Sequence, residues 1–281
     1  MPNVVISGAS SGIGRASALQ MARLGWRVFA GVRREEDAEA LRSAEASIEP
    51  LFLDVTKPEQ VEGAYAQVAE AVGEEGLQGL VNNAGIAVAA PLEFIPMDLF
   101  RRQFEVNVFG NLAVTQRFLP LIRKGQGRIV NVSSISGHFV FPLLGPYAAS
   151  KFALEAITEG LRRELEPWEI KVISLAPGAV KTPIWNKSFK LLQEAFARMP
   201  EEAAVYYGPL VEAWKNRSSD VKGESGMPVE VMAKAVEVAL TTPNPKPRYF
   251  IGKEARTIHL LSRLFSPRWM DGFVKRMLKL E

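Results

Sequence analysis

The sequence predicts an α/β fold, a doubly wound parallel sheet of seven strands with helices on both faces. Two observations predict it. From residue 3 to about residue 252, short apolar segments alternate with amphipathic segments of helical length, as expected of parallel strands joined by helical crossovers. Clusters of glycine, asparagine or proline follow several of these strands. Because ligands of such sheets bind outside the carboxyl ends of the strands, we expect one ligand site along that edge.

Composition narrows the class of protein. The 281 residues are 47% hydrophobic, which suits a single domain over residues 1–281. The 34 basic and 31 acidic residues give a net charge of +3, and we expect this charge to be spread along the chain, unlike that of a nucleic-acid binder. The absence of cysteine excludes disulfides and thiolate metal sites, and no other metal-ligand cluster is visible. Without a signal-peptide pattern or an apolar run of roughly 18 residues, we expect a cytoplasmic protein.

A glycine-rich turn follows the first predicted strand, residues 3–7, and opens a helix that runs to about Leu24. Glycine lets the backbone approach a pyrophosphate, and the free amides and positive dipole of a helix start attract its charge. The spacing G-x-x-x-G-x-G matches the dinucleotide fingerprint G-x-G-x-x-G only in part. Its position at the first strand–helix junction of a Rossmann-like sheet nevertheless predicts a cofactor loop. The predicted loop residues are Gly8, Ser10, Ser11, Gly12, Ile13 and Gly14.

Arg33 follows the second strand, residues 27–32, where a doubly wound fold places the group that contacts the adenosine ribose. NAD sites favour an acid there, whereas an arginine can pair bidentately with a 2′-phosphate. We therefore predict NADP rather than NAD, with an ordinary solvated basic loop as the alternative. Asp54 and Val55 follow the third strand, residues 51–53. Asp54 could hydrogen-bond the adenine or simply stabilise the turn.

Two further strands end in predicted cofactor loops, because small polar residues, glycine and proline suit a loop that is pressed against a ligand. The same residues could simply stabilise the turns. The loop residues are Asn83, Ala84 and Gly85 after the strand at 79–81, and Pro177, Gly178, Val180 and Thr182 after the strand at 171–176.

Ser134, Tyr147 and Lys151 carry the predicted proton chemistry. Tyr147 and Lys151 are four residues apart, so on a helix they share one face. A free tyrosine has a pKa of about 10. We expect the Lys151 ammonium to lower the pKa of Tyr147 towards the working pH of a general acid. Ser134 ends the strand-like segment 127–133 and could orient a substrate oxygen. The ordinary alternative is a lysine stem that covers a surface tyrosine ring.

Asn107 and two histidines complete the candidate polar residues. Asn107 lies amid apolar residues of a segment with a helical pattern, residues 98–124, and a buried asparagine requires partners. It either plugs the space between helices or holds a water beside Lys151 that relays protons. We expect His138 at the mouth of the pocket, without a catalytic role, and His259 in packing.

Two C-terminal segments depart from the alternation of strands and helices. Residues 184–226 are rich in aromatic and apolar side chains, which predicts a helical substrate lid, although the same residues could simply pack on the core. The extension over residues 253–281 is basic and amphipathic. That pattern suits contact with an anionic membrane, but packing over the substrate pocket or against a dimer partner is the more ordinary interpretation.

In order and spacing, residues 3 to about 252 resemble the short-chain dehydrogenase/reductase family. Ser7 replaces the threonine of the family's T-G-x-x-x-G-x-G turn, a conservative departure, and residues 82–85 match its N-N-A-G sequence. Pro177 and Gly178 match its loop beside the nicotinamide. The family's catalytic asparagine, serine, tyrosine and lysine correspond to Asn107, Ser134, Tyr147 and Lys151.

The resemblance implies that a hydride moves between a nicotinamide and a carbonyl or alcohol carbon. In this scheme Tyr147 exchanges the proton and Ser134 stabilises the substrate oxygen. Lys151 holds the ribose hydroxyls and lowers the tyrosine pKa, and Asn107 keeps the relay water. A non-catalytic NADP-binding sensor or scaffold is the competing hypothesis, but it predicts loss of catalytic residues, and none is lost.

The resemblance also bears on substrate and assembly. The lid and the extension are similar to those of family members that act on steroids, retinoids or other lipophilic alcohols and ketones. We therefore expect a lipophilic small-molecule substrate. Family members assemble as homodimers or homotetramers through the helices that here contain Asn107 and Tyr147, which implies the same for this chain.

Overall fold

The computed structural model of the chain describes residues 1–221 and 226–278, with the backbone alone for residues 215–221. Its seven-stranded sheet has the order β3-β2-β1-β4-β5-β6-β7, and every neighbouring pair is parallel. The strands are β1 (Asn3–Ile6), β2 (Arg27–Val32), β3 (Ile48–Phe52), β4 (Gly79–Asn82), β5 (Arg128–Val132), β6 (Lys171–Pro177) and β7 (Arg248–Ile251). The strand order reverses beside β1, so a crevice opens at the carboxyl ends of β1 and β4.

Helices follow the strands along the chain. They are α1 (Gly12–Arg23), α2 (Glu35–Arg42), α3 (Pro58–Val72), α4 (Met97–Phe104), α5 (Asn111–Lys124), α6 (Gly145–Glu164), α7 (Ile184–Phe196), α8 (Glu201–Val221), α9 (Val229–Thr241), α10 (Lys253–Leu264) and α11 (Pro267–Leu278). A π-helical turn, Glu105–Gly110, joins α4 to α5. Proline in the first turn of α3 has no amide hydrogen to leave unpaired there, as the sequence predicts.

The core has one layer on each face of the sheet. Along β1, Val4 and Ile6 belong to one buried cluster and Val5 to another, because successive side chains of a strand point to opposite faces. Helices α1 and α9 complete the first cluster, and α3 and α5 complete the second, with Phe118 fully buried. The predicted doubly wound sheet with helices on both faces is therefore confirmed.

Two local features differ from the sequence predictions. Strand β3 begins at Ile48, three residues before the predicted start. The single helix predicted over residues 98–124 is divided by the π-helical turn. Around this turn the side chain of Asn107 bonds the backbone of Ile86, and a Cβ on Gly110 would lie 2.6 Å from Val55. Both contacts are long-range, so the helical periodicity of the segment carries no sign of them.

The predicted lid and C-terminal extension are helical where the structure describes them. Residues 222–225 of the lid and 279–281 of the extension lie outside the described residues. Helices α7 and α8 cover a cluster that includes Leu144, Leu192 and Trp214. Helix α10 packs on Ile135, and α11 contacts α8. Among the described helices, none has the length and apolar character needed to cross a membrane.

We predict that Gly14→Ala lowers the free energy of unfolding by about 1–3 kcal/mol, because it overpacks the contact between α1 and the preceding turn. A Cβ at Gly14 would overlap the carbonyl oxygen of Gly8 and lie 2.5 Å from Nδ2 of Asn83. Gly63→Ala is the matched control, since Gly63 lies within α3 and a Cβ there meets nothing within 4 Å. The control should gain about 0.5–1 kcal/mol. Urea denaturation measures both changes, and equal stabilities would contradict the steric argument.

Candidate active site

Hydrogen bonds join the turn after β1 to the loop after β4. The Ser7 hydroxyl oxygen accepts from the backbone amides of Asn83 and Ala84, each at 3.0 Å. In return, Nδ2 of Asn83 donates to the carbonyl oxygens of Ser7 and Gly8, also at 3.0 Å. Gly8 has a φ of 64°, and a Cβ there would lie 2.9 Å from Cα of Ala84. Serine and threonine both carry a hydroxyl, so serine at this position supplies the acceptor that both bonds need.

One cavity at the carboxyl ends of the strands brings most of the predicted site residues together. Its volume is about 1260 Å³ including the open mouth. The predicted residues that line it are Gly8, Ser10, Ser11, Gly12, Ile13, Arg33, Asp54, Val55, Asn83, Ala84, Gly85, Ser134, Tyr147, Lys151, Pro177, Gly178, Val180 and Thr182. Gly14 and Asn107 are not among the lining residues. Gly14 instead lets α1 approach the turn, as its missing Cβ indicates.

Ten lining residues of this cavity are not among the predicted site residues, although three of them, Ile184, Trp185 and Lys187, fall within the predicted lid. The ten residues are Gly31, Leu53, Ile86, Val106, Val132, Ser133, Pro183, Ile184, Trp185 and Lys187. Gly31, Leu53, Val132 and Ser133 lie at or just beyond strand ends, so the rule that places ligands at carboxyl ends could have identified them. Lys187 lies on α7, and its sequence neighbours give no comparable signal.

The glycine turn has the geometry of a phosphate cradle. Gly8 and Gly12 both have positive φ, 64° and 56°, which glycine adopts without steric cost. A Cβ on Gly12 would lie 3.1 Å from Cγ2 of Thr182. Backbone amides at the start of α1 therefore border an open space where anions bind favourably. A side chain at Gly12 would narrow it.

Arg33 lies at the mouth of the same cavity. Its side chain is 65% exposed, and Nη1 is 3.9 Å from Oδ2 of Asp54. Oδ1 of Asp54 accepts from the amide and the hydroxyl of Thr56, at 3.1 and 2.8 Å, so Asp54 stabilises the turn and also lines the cavity. Burial raises the pKa of Asp54, but the Thr56 bonds and the charges of Arg33 and Lys57 outweigh burial and lower it.

Tyr147 is buried at the inner end of the cavity, and burial raises its pKa to about 12, while hydrogen bonding to Ser134 opposes the rise. The Lys151 ammonium lies 5.7 Å from the centroid of the Tyr147 ring. The predicted net lowering of the Tyr147 pKa is wrong for this structure, because the loss of solvent around the phenol is the largest effect. Sequence spacing gave the shared helix face correctly but carried no measure of burial.

Lys151 is also buried, and its ammonium donates to the carbonyl oxygen of Val132 at 2.8 Å. Burial lowers its pKa to about 8, and the negative charge of Glu155 opposes this effect. Glu155 is four residues further along α6 and was missed by sequence reasoning. The sequence does contain a signal for Glu155, because a carboxylate four residues after Lys151 lies on the same helix face.

Glu155 is held by three polar side chains. It accepts from the Ser174 hydroxyl at 2.6 Å and from Nε of Arg248 at 2.9 Å, and Nε2 of His138 is 3.3 Å away. Burial raises its pKa, but the bonds from His138 and Ser174 are among those that outweigh it and lower the pKa to about 2. The carboxylate therefore stays charged close to Lys151.

The two histidines lie behind the cavity wall. His138 packs against Glu155 and Phe250 and is not among the residues that line the described cavities, so its predicted place at the pocket mouth is wrong. His259 stacks on Phe250 with ring centroids 3.7 Å apart, which confirms its predicted role in packing. Both positions depend on α10 returning over the sheet, which the local sequence does not reveal.

Asn107 fills the space between the π-helical turn and α6. Its Oδ1 accepts from the amide of Ile86 at 2.9 Å, and Nδ2 donates to the carbonyl of Ile86 and the Ser150 hydroxyl, at 3.0 and 3.1 Å. The side chain is fully buried. Of the two alternatives for Asn107, these contacts match the structural plug, and the water relay stays a prediction.

A second, largely apolar cavity adjoins the first. Its volume is about 810 Å³ including its open side, and it shares Ser134, Gly178 and Trp185 with the first cavity. The predicted lid and the extension both contribute side chains to its lining, Trp214 from α8 and Leu278 from α11. Some predicted lid aromatics therefore face a cavity, whereas Tyr206 is 66% exposed. Over the described residues, no group of three histidine, aspartate or glutamate side chains is placed to hold a metal ion.

We predict that the stability of the native protein, relative to Lys151→Met, rises by about 2 kcal/mol between pH 7 and pH 9.5. The native pKa of Lys151 is about 8, below the unfolded value of 10.5, so the unfolded chain binds the proton more tightly. Below pH 8 the native protein carries the full free-energy cost of burying the Lys151 ammonium. This cost falls as the pH rises towards 10.5, because Lys151 then loses its proton in the native state. Urea denaturation at both pH values measures the difference, and parallel pH profiles for the two proteins would contradict it.

Comparison with known proteins agrees with this geometry. A family model described as short chain dehydrogenase matches residues 2–192. Mouse estradiol 17-beta-dehydrogenase 2 is 36% identical, over 97% of this chain and 74% of its own length. NADPH-dependent 3-dehydrocapnine reductase of Ornithobacterium rhinotracheale is 34% identical, over 99% of this chain and 98% of its own length. The structure of a short-chain dehydrogenase of Burkholderia cenocepacia, solved with NADP, matches with a TM-score of 0.71 and 27% identity. The match covers 95% of this chain and 98% of that chain. The chain belongs to the short-chain dehydrogenase family of nicotinamide-dependent oxidoreductases, which act on CH–OH groups.

Proposed function

We propose that this chain is an NADP(H)-dependent oxidoreductase that interconverts a carbonyl and an alcohol on a largely apolar molecule, with Tyr147 as the acid and base. The observation that carries the proposal is the junction of the two cavities at Ser134. The first cavity, with its anion-binding turn, also contains Tyr147 and Lys151, and the second is apolar. A cofactor in the first and a substrate in the second would meet beside the Ser134 hydroxyl.

The residues around the first cavity suit NADP. Gly8 and Gly12 leave room for a pyrophosphate at the start of α1. Arg33 presents an exposed guanidinium at the end of β2, a group that binds a phosphate bidentately. The NADPH-dependent relative and the neighbour solved with NADP support the same choice. NAD is the less favoured alternative.

The catalytic roles follow from the positions of the side chains. When bound, the nicotinamide supplies or accepts the hydride. In reduction, Tyr147 donates its proton to the substrate oxygen, and with a pKa of about 12 it retains that proton at neutral pH. Ser134 hydrogen-bonds the same oxygen, and the ammonium of Lys151 stabilises the phenolate that forms. In oxidation the same groups act in reverse.

The substrate is proposed to be a lipophilic alcohol or ketone. The second cavity is lined mainly by apolar side chains, including Phe141, Trp185 and Trp214, and such a lining favours apolar ligands. The name of the mouse relative specifies a steroid, which belongs to this class.

We also propose a homodimer or homotetramer. Phe109, in the π-helical turn, is 55% exposed, and Phe152 on α6 is 44% exposed. Both lie on the elements that contain Asn107 and Tyr147, where a second copy would cover them.

We predict that Tyr147→Phe lowers turnover by about 10²–10⁴-fold while the cofactor affinity stays within a few-fold. The substitution removes the proton donor and preserves the ring. The assay follows NADPH absorbance with ketosteroids, retinal, long-chain ketones and small aldehydes. Tyr65→Phe is the matched control, because Tyr65 packs against Phe118 away from the cavities. Substantial turnover in Tyr147→Phe would overturn the assignment.

We predict that Arg33→Ala weakens NADPH binding by about tenfold to a hundredfold, as expected for the loss of a charged hydrogen bond, and leaves NADH binding nearly unchanged. Arg34→Ala is the matched control. Arg34 is equally exposed but bonds Asp37 at 3.0 and 3.1 Å and does not line the cavity. Fluorescence titration measures both cofactors, and equal weakening of NADPH and NADH would exclude a 2′-phosphate contact.

A further inference from the structure

Helices α10 and α11 and the link between them expose four large apolar side chains within ten residues of sequence. Leu260 is 57% exposed, Leu264 68%, Phe265 41% and Trp269 39%. Single exposed apolar residues are ordinary, but a contiguous group commonly marks an interaction site. We call the surface formed by these four residues the tail face.

Packing fixes the direction of the tail face. On α11, Met270, Val274 and Leu278 are buried against the protein, so the helix cannot turn its other side inward without exposing them. Phe265 stacks on Trp269 with ring centroids 4.0 Å apart, and Phe273 follows at 5.8 Å. The three stacked rings form an apolar ridge, in which Phe265 and Trp269 are exposed.

Positive charge is concentrated around the same surface. Residues 253–278 contain six basic and two acidic residues, a net charge of +4, whereas the whole chain has +3. All six basic side chains are exposed, and they are Lys253, Arg256, Arg263, Arg268, Lys275 and Arg276.

We propose that the tail face binds the surface of an anionic lipid bilayer. Apolar residues with flanking basic residues on one side of a helix bind in the plane of the interface, with the apolar side chains among the acyl chains and the charges near the headgroups. Tryptophan favours that interface. A second copy of this chain fits less well, because two surfaces of the same positive charge repel each other.

The proposed docking also places the second cavity near the bilayer. Leu278 lines that cavity and belongs to the same helix as Trp269. Nine residues of α-helix span about 13 Å, so the part of the cavity that Leu278 lines is about that far from Trp269 in the docked surface. A lipophilic molecule dissolved in the bilayer would have a short path into the protein. The docking itself does not depend on the identity of the substrate.

The test is flotation of the full chain with vesicles of phosphatidylcholine alone and with about one third phosphatidylglycerol. We expect at least about tenfold stronger partition onto the anionic vesicles, and a decrease as salt is raised. Leu264→Glu should lower this partition by about tenfold or more, with an unchanged thermal midpoint because Leu264 is 68% exposed. Leu24→Glu is the matched control, since Leu24 is 46% exposed at the end of α1.

Three results would overturn the proposal. They are the absence of flotation with anionic vesicles, equal partition for Leu264→Glu and Leu24→Glu, and equal partition onto the two vesicle compositions. Sedimentation without lipid provides the remaining comparison. If the native chain sediments as an oligomer without lipid and Leu264→Glu sediments as a smaller species, a second copy covers the tail face. The membrane proposal is then wrong.

Discussion

The contact between the turn after β1 and the loop after β4 is the constraint on which the site depends. Four hydrogen bonds around Ser7 and Asn83 hold these loops together, each contributing about 1 kcal/mol. The absence of a Cβ at Gly8 and Gly14 lets the turn after β1, the start of α1 and the loop after β4 come into contact. Because the strand order reverses at this place, the crevice opens directly beside the contact. This contact sets the position of the backbone amides at the start of α1, which we propose to bind the cofactor pyrophosphate.

Burial and charge act in opposite directions at the inner end of the cavity. Loss of solvent favours the neutral forms of both Tyr147 and Lys151, with pKa values of about 12 and 8. Without a counter-charge, the pKa of Lys151 would fall further, and the residue would be a weaker cation at neutral pH. Glu155, held by Ser174 and Arg248, supplies that counter-charge. Glu155 and its partners thus help to keep Lys151 positively charged, as the proposed role of Lys151 in stabilising a Tyr147 phenolate requires.

The sequence predicts the fold and most of the cavity because both follow from local patterns. Strand and helix periods locate the seven strands, and the residues after each strand fall at one edge by topology. The roles of Gly14 and His138, the π-helical turn and the direction of the Tyr147 pKa shift were not predictable in this way. Each depends on a group distant in sequence: Asn83 for Gly14, Glu155 for His138, Ile86 for the turn, and the surrounding core for Tyr147.

The C-terminal extension illustrates how one amphipathic pattern can satisfy two interpretations. Packing over a pocket and contact with a membrane look like alternatives in the sequence, because each requires an apolar stripe. On α11, however, Leu278 lines the second cavity while Trp269 lies in the exposed ridge. The inner stripe is already covered by the protein, so it does not account for the outer one. The outer stripe lies within a segment of net positive charge, and that charge favours an anionic partner over another copy of the same surface.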